Sequence, residues 1–218
     1  MSVTPQVLLS TIARERCVAS IKELPAFSFN SGKHLHNASV LVPLCVQKGE
    51  VSLLYTLRSS NLKNHSGQVS FPGGKRDRGE SVVETALRET EEEIGISRER
   101  IDIWCEMPEV QGRNKELLIT PVVGEILNFD PVTLRPNVDE VDEIFTVPMK
   151  DLCDVRNHAH VKFEKHILPI FLYEKHKIWG ITGLITHLFL QCFLPCDVYN
   201  VDFLRKQFKL HELMPSKL

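Results

Sequence analysis

The 218-residue sequence predicts an α/β domain of the α+β kind, a mixed β-sheet sandwiched between helices. Three observations carry that expectation. Apolar, β-branched runs recur over residues 38–46, 51–58, 101–105, 117–127, 143–147 and 161–172, and helix-compatible segments lie between and around them. One of those segments, ending at Gly95, carries both a start and a stop signal. With 43% apolar and 25% charged residues, the chain has globular usage, which argues against disorder or a coiled coil.

Thr4-Pro5 supplies an N-cap and a first-turn proline ahead of Val7, Leu8 and Ile12, which predicts an amphipathic N-terminal helix packed on the domain. The runs 38–46 and 51–58 flank Lys48-Gly49, a hairpin signature. Residues 67–71 add a short strand before a turn at Pro72-Gly73-Gly74. Ser81, with Glu84 three residues on, forms a capping box, and Gly95 is a natural C′ residue, so a helix is expected between them. Further helices are expected over 148–153 and 182–193, the latter core-facing because Leu184, Ile185 and Leu188 recur at helical spacing, with the lining of a ligand groove as the alternative. The organisation reads as a helical extension over 1–36, the main domain over 37–175 and a C-terminal helical segment over 176–218.

Several function classes fall away on composition. Lys and Arg number 26 against 28 Asp and Glu, so no global positive field draws in nucleic acid. The six cysteines show no C-x-x-C spacing and read as reduced core fillers, not as a zinc site. The apolar stretch 181–195 is shorter than a bilayer span and holds His187 and Gln191, so a packed helix is expected in place of a membrane span. No secretory leader is expected, because Leu8-Leu9 is soon followed by Arg14-Glu15-Arg16.

The predicted helix is electrically unfavourable by itself. Arg88-Glu89-Thr90-Glu91-Glu92-Glu93 crowds four carboxylates into its last turns, where the macrodipole is already negative. Glu89 meets Glu92 and Glu93 at i+3 and i+4, and each like-charge pair costs about 0.2 to 0.5 kcal/mol on an exposed helix. A divalent cation reverses that sign. Hard carboxylate oxygens without clustered thiolate or imidazole suit Mg²⁺ first, with Mn²⁺ as a substitute. Arg88 is placed to orient a ligand carboxylate or to meet a phosphate, and Gly73-Gly74 allow the main chain to approach a ligand closely.

Residues 74–96, GKRDRGESVVETALRETEEEIGI, resemble the Nudix box of hydrolases that cleave nucleoside diphosphates linked to another moiety. Gly74, Glu80, Arg88-Glu89, Glu92-Glu93, Gly95 and Ile96 match its fixed positions, and Thr90 departs from its usual apolar residue. Upstream, Leu54 to Ser59, Lys63, Gly67 and Phe71-Pro72-Gly73-Gly74 resemble the additional signature of the coenzyme A diphosphatase subfamily. Tyr55 stands there for a leucine. Lys63 stands for an arginine and loses its bidentate fork.

The resemblance implies the Nudix fold and hydrolysis of coenzyme A, and of its esters, to 3′,5′-ADP and 4′-phosphopantetheine or its acyl form. It implies Glu89 and Glu93 as direct metal ligands, with Glu92 as a third ligand or the group that takes the proton of water. Gly74 is expected to offer a main-chain carbonyl and Glu80 to serve an outer metal. Arg58 and Lys63 are expected at the substrate phosphates, including the 3′-phosphate of coenzyme A, with Gly67 and Gly73 also substrate-binding. Glu140, in the acidic run 139–143, is an alternative base. His158 and His160 read as surface histidines, because no third ligand has matching spacing. The other readings are a diphosphatase of ADP-ribose or nicotinamide dinucleotides and a non-catalytic nucleotide-binding module. Ser216-Lys217-Leu218 reads as a peroxisomal address recognised by an import receptor.

Overall fold

The computed structural model of the protein describes residues 4–25, 36–60, 66–111, 117–163 and 166–214. The expected N-terminal helix is two helices, α1 (Pro5–Leu8) and α2 (Thr11–Lys22). Thr4 makes no side-chain cap, whereas the Ser10 hydroxyl accepts from the Ala13 N–H at 3.2 Å and restarts the chain as α2. That restart turns Ile12 out to 79% exposure and buries Ala13, Cys17 and Ile21, spaced by four, instead.

Strands β1 (His36–Gln47) and β2 (Glu50–Arg58) form the expected hairpin, with Gln47 opposite Glu50. Lys48 and Gly49 both take positive φ, the conformation of a two-residue turn that matches strand twist. Beyond β3 (Val69–Ser70), the glycine pair is not a turn. It lies in β4 (Gly73–Lys75), antiparallel to β1. Gly73 has φ +151°, and a Cβ there would sit 2.3 Å from Ser39 O, so only glycine lets the strands come this close.

Helix α3 (Val82–Ile94) has the expected capping box and the left-handed Gly95 at its end. Thr90, the departure from the box, is buried and donates to Ala86 O at 2.6 Å. There follow β5 (Ile101–Glu106), β6 (Val110–Gln111), β7 (Leu117–Ile126), β8 (Val141–Pro148), α4 (Met149–Cys153), β9 (His158–Phe163), β10 (His166–Tyr173), β11 (His176–Ile178), α5 (Gly180–Phe193) and β12 (Gln207–Phe208).

The main sheet runs β3-β2-β1-β7-β5, with β4 beside β1, β6 beside β7 and β8 beside β2. It is mixed, because β1 and β7 are parallel while the other pairs are antiparallel. A second sheet, β11-β10-β9-β12, was not expected from the sequence. The single strand expected over 161–172 is two antiparallel strands, β9 and β10, because the polar break around Lys162 to His166 divides the run. The segment expected to be helical after residue 176 likewise holds β11 and β12 besides α5.

Alternation along β2 separates two cores. Leu54 joins Leu41, Cys45, Ala86, Ile94 and Val122 beneath α3. Leu53 and Tyr55 face a larger core with Phe171, Ile185 and Phe189, so α5 is core-facing as expected. Arg14 of α2 reaches Asp102 Oδ2 and Ile103 O, both at 2.6 Å, which covers edge strand β5. The cysteines are free, and among the described residues no helix is long and apolar enough to cross a membrane.

Candidate active site

The fold brings the last turns of α3 against β4 and the end of β2. Glu93 points inward and is 2% exposed. Its Oε2 accepts the Gly73 N–H at 3.3 Å, and Arg58 Nη1 stands 3.8 Å from its Oε1. Burial pushes the Glu93 carboxyl up to about 8; Arg58 and the Gly73 N–H oppose that rise, and the charges of Glu89 and Glu140 add to it. Glu89 lies nearer the surface, and burial raises its carboxyl against the counter-pull of Arg88. Its carboxylate rests on Gly74, where a Cβ would lie 2.4 Å from Oε2.

Arg88 ties the acidic groups together. Nε and Nη2 donate to the two oxygens of Glu80 at 2.6 and 3.0 Å, while Nη1 donates to Glu89 Oε1 at 2.9 Å and Glu92 Oε2 at 3.0 Å. Nη2 also reaches Lys75 O at 3.2 Å. The Arg88 hydrogen bonds, joined by those of the Asp77 N–H and Thr85, hold Glu80 down to about 2. The three carboxylates expected on one face are therefore graded: Glu93 is buried, Glu89 is partly so, and the Glu92 side chain is 56% exposed.

Among the described residues, no three acidic, histidine or cysteine side chains already enclose a metal-sized space. The groups nevertheless fit a hard cation. Glu93 is a buried carboxylate with one long ion pair, Glu89 lies alongside through the glycine contact, and every available donor is oxygen.

Arg58 Nε is buried without a hydrogen-bond partner. The Arg58 main chain pairs with the returning chain, through Arg58 N–H to Gln68 O at 3.0 Å and Gly67 N–H to Arg58 O at 3.1 Å. Gly67, at φ +67°, makes that return possible. Lys63 and Ser216-Lys217-Leu218 lie outside the described residues.

The loop that carries Glu140, the alternative base, closes the site by capping α3, a contact not expected from the sequence. Arg135 N–H and Asn137 N–H donate to Ile94 O and Glu93 O, each at 2.9 Å, capping the carbonyl end of α3. The loop then carries Glu140, whose carbonyl accepts from Ser59 N–H at 2.8 Å and whose charge acts on Glu89 and Glu93. Glu143 instead pairs with Lys175 and His176, on the side of Leu57. The cue lay in the C′ glycine, which tells where a helix stops but not what covers its end.

His158 and His160 are buried, contrary to the surface location expected. His158 Nε2 bonds to Leu152 O and its Nδ1 accepts from Asp202 N–H, while His160 Nδ1 bonds to Phe203 O. Main-chain partners account for these imidazoles.

The NUDIX domain family matches residues 35–170. The protein named mitochondrial coenzyme A diphosphatase NUDT8, from Homo sapiens, is 43% identical over 166 residues, covering 73% of this chain and 70% of that protein. The peroxisomal coenzyme A diphosphatase NUDT7 of Mus musculus is 34% identical over 195 residues, or 82% and 77% of the two chains. A solved MutT/nudix family protein from Enterococcus faecalis shares the fold, with a TM-score of 0.51 at 19% identity over 86% of this chain and 71% of that one.

Proposed function

The chain belongs to the Nudix hydrolase family, and from that premise we propose that it is a coenzyme A diphosphatase, cleaving coenzyme A and its esters to 3′,5′-ADP and 4′-phosphopantetheine or its acyl form. The observation that carries the reading is Glu93, a buried carboxylate short of counter-charge between Arg58 and the glycine pair. The names of two relatives and the upstream signature around Arg58 and Gly67 support the choice of substrate.

Glu89 and Glu93, with Glu92 and the Gly74 carbonyl, would hold the cation. Bound there, Mg²⁺ or Mn²⁺ supplies neutralisation of the diphosphate oxygens and a more acidic water. Arg88 keeps Glu89 and Glu92 from swinging apart under mutual repulsion. The Gly73 N–H fixes one oxygen of Glu93 and leaves the other toward Arg58. Arg58, whose side chain is 27% exposed, turns its guanidinium to a phosphate oxygen of the substrate. Glu92, outermost of the three, or Glu140 on its capping loop accepts the proton of the attacking water. As the water oxygen joins phosphorus, the bridging P–O bond breaks and the two monoesters separate.

Product analysis after incubation with coenzyme A and Mg²⁺ tests the reading, with 3′,5′-ADP as the expected product. Equal turnover of ADP-ribose would overturn the substrate, and bound but intact coenzyme A would point to a binding module. We also propose a peroxisomal location, supported by Ser216-Lys217-Leu218 as the element an import receptor reads. The relatives are named for both peroxisome and mitochondrion, so imaging a variant without the tripeptide is the deciding measurement.

A further inference from the structure

Coenzyme A carries a second anion besides its diphosphate, the phosphate monoester at the ribose 3′ position, and this dianion needs cations of its own. Two arginines of the site are turned elsewhere. Arg88 is held by Glu80, Glu89, Glu92 and Lys75 O, and Arg58 faces Glu93.

The chain leaving Gly74 runs Lys75-Arg76-Asp77-Arg78, and all four residues are exposed. Three cations share this loop with one carboxylate. Among the described residues, the side chains of Lys75, Arg76 and Arg78 make no hydrogen bond or ion pair, unlike Arg14, Arg58, Arg88, Arg98 and Arg156. Such a concentration of unpaired like charge repels itself unless an anion joins it.

The ladder sets the face on which Arg76 lies. Ser39 lies opposite Gly74 and Ala38 opposite Lys75, and Arg76 N–H donates to Asn37 O at 3.0 Å, so the β4–β1 pairing continues through Arg76. Strand alternation then sets Arg76 on the same side as Gly74, the side where the Glu89 carboxylate lies. Two residues of extended chain span about 7 Å. The 3′-phosphate is separated from the diphosphate by a single ribose ring, a comparable step.

We propose that Arg76, flanked by Lys75 and Arg78, binds the 3′-phosphate and so distinguishes coenzyme A from dinucleotides that lack this group. A guanidinium can meet two phosphate oxygens at once, which an ammonium cannot. The inference rests on the coenzyme A reading above and assigns one end of that substrate.

The test compares coenzyme A with 3′-dephospho-coenzyme A as substrates of the unaltered enzyme and of Arg76→Ala, Arg76→Lys and Lys75→Ala. The ratio of kcat/KM between the two substrates should fall roughly tenfold or more in Arg76→Ala. It should recover in part in Arg76→Lys, and KM for coenzyme A should carry the change. A ratio unaltered by all three substitutions would overturn the proposal, as would an unaltered enzyme that does not discriminate. If neither compound is cleaved, the proposed activity fails on its own. The subsite is then judged by calorimetry with 3′,5′-ADP and AMP: tighter binding of 3′,5′-ADP that Arg76→Ala abolishes supports it, and equal binding of the two refutes it.

Discussion

The carboxylate of Glu89 packs against the α-carbon of Gly74 so closely that a methyl group on Gly74 would lie 2.4 Å from Glu89 Oε2. The atoms in the way are the far end of a flexible side chain, so Gly74→Ala should be cheap for the fold and costly for the site. Turnover should drop on the order of a hundredfold, as when a supporting contact of a metal ligand is lost, with a melting temperature within a few degrees of the unaltered protein. Gly73→Ala is the contrast, because its methyl would strike Ser39 O and the backbone of Val40 at φ +151°. That variant should unfold well below the other. Thermal melts paired with initial rates check both, and a fully active Gly74→Ala would mean that Glu89 need not sit where it does.

Glu93 gives the cation-free protein a pH dependence of definite sign. Its carboxyl is raised to about 8 by burial, so between about pH 5 and 8 the folded state keeps a proton that the unfolded chain releases. Stability conferred by the neutral carboxyl is therefore full at low pH and declines as pH rises through that window, by a few kcal/mol. Denaturant melts in chelator from pH 5 to 8.5 should show the decline. Mg²⁺ should reverse it at the alkaline end, and Glu93→Gln should flatten it while abolishing turnover. Parallel curves with and without Mg²⁺ would count against Glu93 as a ligand.

Local chemistry explains what could be read in advance. Helix α3 is announced by Ser81, Glu84 and Gly95, and the hairpin by Lys48-Gly49, because caps and turns depend on neighbours in sequence. Glu89, Glu93 and Gly74 were likewise visible as a charge pattern beside a glycine. The burial difference between Glu93 and Glu92 was not, since it depends on how α3 rolls against β4. The second sheet was equally hidden: β12 is two residues long and pairs with β9 through Gln207 and His160, far apart along the chain. Glu140 stood out as an alternative base, but the contact that seats its loop at the site, the capping of α3 by Arg135 and Asn137, did not.

Arg88 provides a third test. One guanidinium serves Glu80, Glu89 and Glu92 together, a geometry that a lysine ammonium cannot reproduce. Arg88→Lys should keep the net charge yet lose roughly ten- to a hundredfold in turnover, the range seen when supporting contacts of a metal ligand are removed. Weaker Mg²⁺ binding by calorimetry should accompany the loss. Glu80→Gln should do less, because Arg88 keeps Glu89 and Glu92. If Arg88→Lys binds Mg²⁺ as tightly as the unaltered protein, the clamp is not what orders those carboxylates.

Tyr55, one of the two departures from the upstream signature, belongs to the opposite face of the sheet. Its ring stacks on Phe71 at 4.8 Å, and its hydroxyl lies 3.0 Å from Thr186 Oγ1. Thr186 already gives its single proton to Thr182 O at 2.8 Å, so Tyr55 is the donor. Burial keeps that phenol protonated by raising its pKa. Tyr55→Phe removes the donor and leaves one buried lone pair on Thr186 unpaired, at about 1 kcal/mol. A chain of this size should then melt roughly 2 to 4 °C lower. Hydrolysis of coenzyme A should persist at the original rate, because the lost bond ties β2 to α5 on the side away from Glu89 and Glu93. A severalfold fall in kcat at an unchanged melting temperature would show instead that this tyrosine communicates with the acidic site through Phe71.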